Sequence, residues 1–304
     1  MKNSEALAQL KDISTNLEEI EYGQVVDLMR NSVKRIPIPV AKLVNNAAID
    51  RARKNNGEIL FSDISDITYI SDQKVIQQLL TEFGRANCPH QSMFYGAIET
   101  SQIQHQRITA IAETSTLYQD PEGINLDGEL YTISRWRSLV ELEIAEMVFS
   151  EDAIVANPDI EKAFNKQVGF AKRKGVDAAF YKEFLIFISS EFARKKESHH
   201  DYKISSAYTN LTLNHPKISG ISYPSVQTGY KGENIVFPPN IVDQHLRLEA
   251  IITQRLFKNR ERAFINNHME CLNPHVSLNN FMWTQTNPVH IAPRQEIDEA
   301  LIEN

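Results

Sequence analysis

The chain has 304 residues, 42% of them hydrophobic and 23% charged, an ordinary balance for a globular protein that buries a sizeable core. Its net charge of −7 gives no basic surplus of the kind a general nucleic-acid binder uses, so an anionic ligand would need positive groups arranged locally against the overall field. Two distant cysteines, Cys88 and Cys271, read as free thiols of a reducing, cytoplasmic setting, and no apolar run nears the ~20 residues that span a bilayer.

In chain order, Leu7, Leu10, Ile13, Leu17 and Ile20 recur at three- and four-residue spacing and predict helix over 4–30, with Gly23 as a break. Pro37 and Pro39 end that unit. A short helix is expected over AKLVNNAAIDRARK (41–54), then a β-rich stretch with Asp/Ser turns, then helix over 72–83. A turn at Asn87–Pro89 leads into a strand, Ser92–Ile98, with Met93, Tyr95 and Ala97 on one face and Phe94, Gly96 and Ile98 on the other. A helix follows over 101–117, then a turn-rich loop, DPEGINLDGE. LYTISRWRSLVELE alternates as one or two strands, with Arg135, Trp136 and Arg137 read as surface packing.

From Glu141 to Leu213 the period is mostly helical, punctuated by Pro158 and Gly175, with ELEIAE (141–146) read as a solvated helix face. His199–Asp201 reads as a solvated loop. β-like runs return after Gly220, in GISYPSVQ, NIVFPP, LRLEAIITQRLF and RAFINNHMECL, and RQEIDEALIEN is a polar helix or tail. Helices, short strands, helices and short strands again are not a βαβ alternation, and the expected class is α+β with an antiparallel or split sheet.

The phosphate-binding and hydrolase signatures G-x-G-x-x-G, G-x-x-x-x-G-K, G-x-S-x-G and H-E-x-x-H do not occur. Three separated pieces carry the chemistry instead: GRANCPHQSMFYGA, TAIAET ending at Glu113 and Thr114, and GISYPSVQTGYKGENIVFPP. In order and spacing they resemble the RES domain family, with IDRARKNNGEILFSDISDITY resembling the arginine-bearing opening of its longer members; the resemblance covers roughly 49–116 and 201–240.

It implies an ADP-ribosyltransferase-like fold with a split antiparallel sheet. The N-terminal helical extension would span 1–45, and the catalytic domain 46–290 would carry a helical insertion at 141–200, leaving a tail over 291–304. It implies a cytoplasmic NAD-consuming enzyme, a glycohydrolase or phosphorylase acting as a bacterial toxin of a toxin–antitoxin or defence system. The alternatives are an ADP-ribosyltransferase acting on a protein and a non-catalytic NAD-binding regulator. NAD is the substrate and no metal is called for. A cognate antitoxin and a homo-oligomer are the implied partners, without nucleic acid or membrane.

By match to the family motifs, Arg85, Glu113 and Ser225 take catalytic roles, and Arg85, Asn87, Tyr95, Arg51 and Arg53 bind NAD. Ala86 stands where the family often has tryptophan. The residue chemistry agrees: a guanidinium grips phosphate oxygens in two-pronged fashion, Tyr95 offers a flat face, and a carboxylate such as Glu113 steadies positive charge developing on a ribose. On the residues alone, Arg85 would be a turn arginine paired with Glu82, Tyr95 a core aromatic, Glu113 a solvated side chain and Ser225 a turn serine.

Overall fold

The computed structural model describes residues 1–193, 198–276 and 278–302. Two helices, α1 (Asn3–Ile13) and α2 (Tyr22–Ser32), replace the single expected one, and Gly23 lies inside α2. The polar run after Ile13 stops the first: Ser14 and Thr15 turn their hydroxyls back on the carbonyls of Lys11 and Asp12, at 2.7 and 3.0 Å.

The expected helix at 41–54 is two strands, β1 (Val40–Leu43) and β2 (Ala48–Lys54). They are joined by a turn in which Asn46 takes a left-handed φ of 64°, a conformation asparagine tolerates. There follow α3 (Gln73–Leu79), β3 (Phe94–Ile98), α4 (Gln106–Thr114), α5 (Thr116–Gln119), β4 (Asn125–Ser138) and β5 (Leu142–Glu146). The run ELEIAE is therefore the strand β5, whose Leu142 and Ile144 are buried, and the helical insertion begins only with α6 (Glu151–Ala156).

It continues through α7 (Pro158–Arg173), α8 (Ala178–Ala193) and α9 (Lys203–Leu213). The remaining elements are β6 (Ile218–Pro224), β7 (Glu233–Phe237), α10 (Pro239–His245), β8 (Leu246–Lys258), β9 (Ala263–Cys271), β10 (Thr284–Gln285) and α11 (Arg294–Ile302). Residues 194–197 of the expected insertion and 303–304 of the expected tail lie outside the described residues. The tail is the helix α11, which packs Ile297 and Leu301 against Phe257.

The strands form one ten-stranded sheet in the order β1-β5-β6-β7-β3-β2-β4-β8-β9-β10, antiparallel at every pairing except the parallel β5–β6. The class is α+β. The face that carries Tyr95, Ala97, Ile221, Tyr223 and Val236 is covered in two parts. On one half lie the helices: Leu7, Leu10, Val25 and Met29 from α1 and α2 share a core with Phe184, Ile188, Phe192 and Tyr208 from α8 and α9. On the other half α4 lays Ala110 and Ile111 on Ala52, Ala97, Tyr131 and Ile133. A seam is left between the two coverings.

The opposite face is a third core around Phe94, Trp136, Ile235 and Phe237. Trp136 is part of it, 5.4 Å from Phe94, and Arg135 grips the fully buried carboxylate of Asp50 at 2.8 and 2.7 Å, so neither belongs to surface packing. At the N-terminus, β1 enters the sheet beside β5 and both helices sit in the main core.

Candidate functional site

A cavity of about 720 Å³ opens in the seam. Arg51, Gly84, Arg85, Asn87, Tyr95, Gly96, Glu113, Tyr202, Tyr223, Gln227 and Asn234 line it. The topology explains why residues so far apart in the chain meet here. β2 and β3 are joined only through Ile49↔Ile98 and Asp50↔Ala97, and beyond Asp50 they diverge. Arg51 is the first residue past that divergence. Its guanidinium crosses the gap, donating from Nη1 to the Tyr95 carbonyl at 2.8 Å and lying 5.4 Å over the Phe94 ring. Burial, with the charge of Arg53 second, pushes Arg51 down to about 10.

Arg53 itself does not line the cavity. It donates to the Asp66 carbonyl and lies over Phe61, so of the two upstream arginines only Arg51 reaches the site.

Arg85 sits on a tight turn closed by Gly84 and Asn87, with the Gly84 amide on the Asn87 carbonyl at 2.9 Å. A Cβ at Gly84 would come within 2.3 Å of Asn87 Oδ1, so a larger residue there would displace the Asn87 amide. Tyr95 locks it from the strand: its hydroxyl donates to Asn87 Oδ1 at 2.6 Å and accepts from the Ala86 amide at 3.2 Å. Tyr95 thus both lines the cavity and holds the turn, and burial pushes its phenol well up.

Arg85 forms no ion pair with Glu82 among the described residues. Its guanidinium donates to the Phe192 carbonyl and is held between the rings of Tyr202 and Tyr223, at 5.5 and 5.6 Å. Glu113, near the C-terminal end of α4, is half-buried and faces the same space, where its charge acts on Tyr223.

Ser225 is close by but does not line the cavity. It is fully buried at the end of β6, its amide on the Gly232 carbonyl at 2.8 Å, and its neighbours Tyr223 and Val226 form the wall instead. Its hydroxyl has no partner among the described residues, and neither have Arg51 Nε, Thr109 Oγ1 and Asn234 Nδ2. Buried polar atoms are almost always satisfied, and of these four residues Arg51 and Asn234 line the cavity, where their Nε and Nδ2 could meet a polar guest.

Tyr202 and Gln227 carried no recognisable sequence signal as site residues. Tyr223 and Asn234 lie inside the Tyr-Pro-Ser segment and its sequel, whose motif asparagine was the available clue. His199, read as solvated, stacks on Phe83 at 6.2 Å beside the arginine turn.

The arrangement offers two guanidinium groups, a carboxylate, three tyrosine rings and an unpaired amide to one guest. Such a set suits an elongated anionic molecule with aromatic and hydroxylated parts. Neither a family model nor a curated protein matches the chain. Among the described residues, no helix is long and apolar enough to cross a membrane.

Proposed function

We propose that this chain is an NAD-consuming enzyme of the RES type, with an ADP-ribosyltransferase-like core, that cleaves the bond between nicotinamide and ribose. The observation that carries the reading is convergence. Arg51, Arg85, Asn87, Tyr95 and Glu113, chosen from separate stretches of sequence, line one cavity of about 720 Å³, a volume suited to a dinucleotide. In this reading Arg51 and Arg85 take the pyrophosphate, whose oxygens match a planar fork of donors. Tyr95 offers its ring to the planar base, while Tyr202 and Tyr223 hold the Arg85 guanidinium. Glu113 stands against the positive charge that grows on the ribose as nicotinamide departs, and holds a ribose hydroxyl. The acceptor is water or phosphate. Ser225 supports the wall from behind through its segment. Growth inhibition within a toxin–antitoxin or defence system is the biological role this chemistry suits, in the cytoplasm where NAD is plentiful.

The direct test is to incubate purified protein with NAD, with and without phosphate, and to identify the products. Nicotinamide with ADP-ribose marks hydrolysis, and nicotinamide with phosphorylated ADP-ribose marks phosphorolysis. Intact NAD together with no measurable NAD binding overturns the proposal.

One observation favours a second reading, transfer of ADP-ribose to a protein. The exposed loop 120–124 starts directly after Gln119, which itself lines the cavity, and an acceptor could dock there. Labelled ADP-ribose appearing on proteins of a lysate, rather than free in solution, would select it.

A further inference from the structure

The segment between α1 and α2, and the first residue of α2, reach the back of the arginine turn. Tyr22 packs its ring on Phe83 at 5.0 Å, and its hydroxyl accepts from Cys88 Sγ at 2.9 Å and from Asn210 Nδ2 at 3.3 Å. Asn210 also donates to Cys88 Sγ at 2.9 Å and accepts from Gln91 Nε2 at 2.9 Å, while Gln91 Oε1 receives the Cys88 amide at 2.9 Å. On the other side Lys203, buried, donates to the carbonyls of Leu17 and Ile20, both at 2.7 Å, and lies 5.9 Å over Phe83.

Phe83 is two residues before Arg85, Cys88 follows Asn87, and Lys203 follows Tyr202, the ring against Arg85. Three anchors of the 17–22 segment, Phe83, Cys88 and Lys203, therefore lie next to a residue that shapes the cavity.

From this we infer that the N-terminal unit is a built-in brace of the arginine turn, and that Tyr22 and Lys203 are positioning residues which set Arg85 and Asn87 without touching the ligand. This gives the 17–22 segment a role behind the site. The physical reason is that the turn is short: the Gly84–Asn87 pair and the Tyr95 hydroxyl close it and the Phe192 carbonyl holds Arg85, while the Tyr22 and Lys203 contacts support its Phe83 and Cys88 ends, and a bidentate grip on an anion loses strength quickly when the donor plane drifts. The contribution to ligand binding rests on the proposed function. The brace itself does not.

The test compares Tyr22→Phe with the parent and with Tyr69→Phe, a control that loses a tyrosine hydroxyl bonded to Asp243 on the far face of the sheet. Tyr22→Phe keeps the ring on Phe83 and removes only the acceptor. Hydrogen exchange of a peptide covering 83–92 should quicken about fivefold, with peptides from β4 and β8 unchanged and the melting temperature within about 3 °C. KM for NAD should rise about three- to tenfold at nearly constant kcat. The control should change none of these.

Unchanged exchange over 83–92 in Tyr22→Phe refutes the brace, as does faster exchange spread evenly over the sheet. Should the parent bind no NAD while exchange over 83–92 still quickens, the brace holds and the ligand assignment alone fails. Lys203→Met supplies the second arm: it should loosen the same peptide, and no loosening there counts against the inference.

Discussion

Replacing Glu146 by glutamine tests the electrostatics of the fold without reference to any ligand. Glu146 ends β5 and shares a cavity of about 230 Å³ with Glu233, the first residue of β7. Burial first, then the charge of Glu233, pushes Glu146 up from an ordinary 4.5 to about 7, with Lys166 partly opposing; burial also raises Glu233. Asp159 and Lys231 are the other charged groups lining that space.

A carboxyl that holds its proton more tightly in the native state than in the unfolded chain favours folding at low pH. The contribution is fully present below about 4.5 and is lost as pH rises through about 7. Above that, ionised Glu146 costs the native state on the order of 3 kcal/mol. Glutamine has nearly the same shape and no charge, so the cost disappears. Urea midpoints followed by circular dichroism should show Glu146→Gln within about 0.5 kcal/mol of the parent at pH 4.5 and roughly 1–3 kcal/mol more stable at pH 8, with an unchanged slope against denaturant. A difference that is flat in pH, or a variant less stable than the parent at pH 8, refutes the account of a repelling buried pair.

Three further outcomes address the cavity. Glu113→Gln should fold and bind NAD but lose on the order of 10²–10³ in the rate of NAD loss, since the charge facing the developing cation is gone; a folded variant within about threefold of the parent rate would remove Glu113 from catalysis. Arg85→Lys replaces a planar fork with a point charge and leaves the stack between Tyr202 and Tyr223, so NAD affinity should fall about tenfold by calorimetry, and unchanged affinity would make Arg85 structural. Asn234→Leu removes a buried amide whose Nδ2 has no partner among the described residues, so the protein should hold its stability or gain up to about 1 kcal/mol while NAD binding weakens; stability and binding falling together would mean the amide serves the fold.

Which parts of this molecule were legible in the sequence follows from how local their causes are. The face assignment along β3 needed only the two-residue period, and Tyr95 and Ala97 do lie on the opposite side of the sheet from Phe94. The short strand β5 was misread because acids at Glu141, Glu143 and Glu146 suggest a solvated helix, whereas its conformation comes from pairing with β1 and β6, which lie far away in sequence. The strands at 40–54 were misread for the same reason, their partners being β5, β3 and β4.

The site divides likewise. Arg85, Asn87 and Tyr95 fall in one stretch whose turn chemistry is local, and the Tyr95 hydroxyl ties the strand to Ala86 and Asn87 of that turn. Tyr202 reaches Arg85 only because α8 and α9 pack across the sheet, and nothing near position 202 announces it.

The choice between Arg51 and Arg53 turns on a still smaller fact. Both lie on one side of β2 by the strand period, so no pattern in the sequence separates them. What separates them is distance from the end of the β2–β3 pairing at Asp50: Arg51, the next residue, reaches across to the Tyr95 carbonyl and the cavity, whereas Arg53, two residues further on, donates to the Asp66 carbonyl. The length of a strand pairing is a property of the whole sheet. It decides here which of two equivalent cations lines the cavity and which becomes part of the frame.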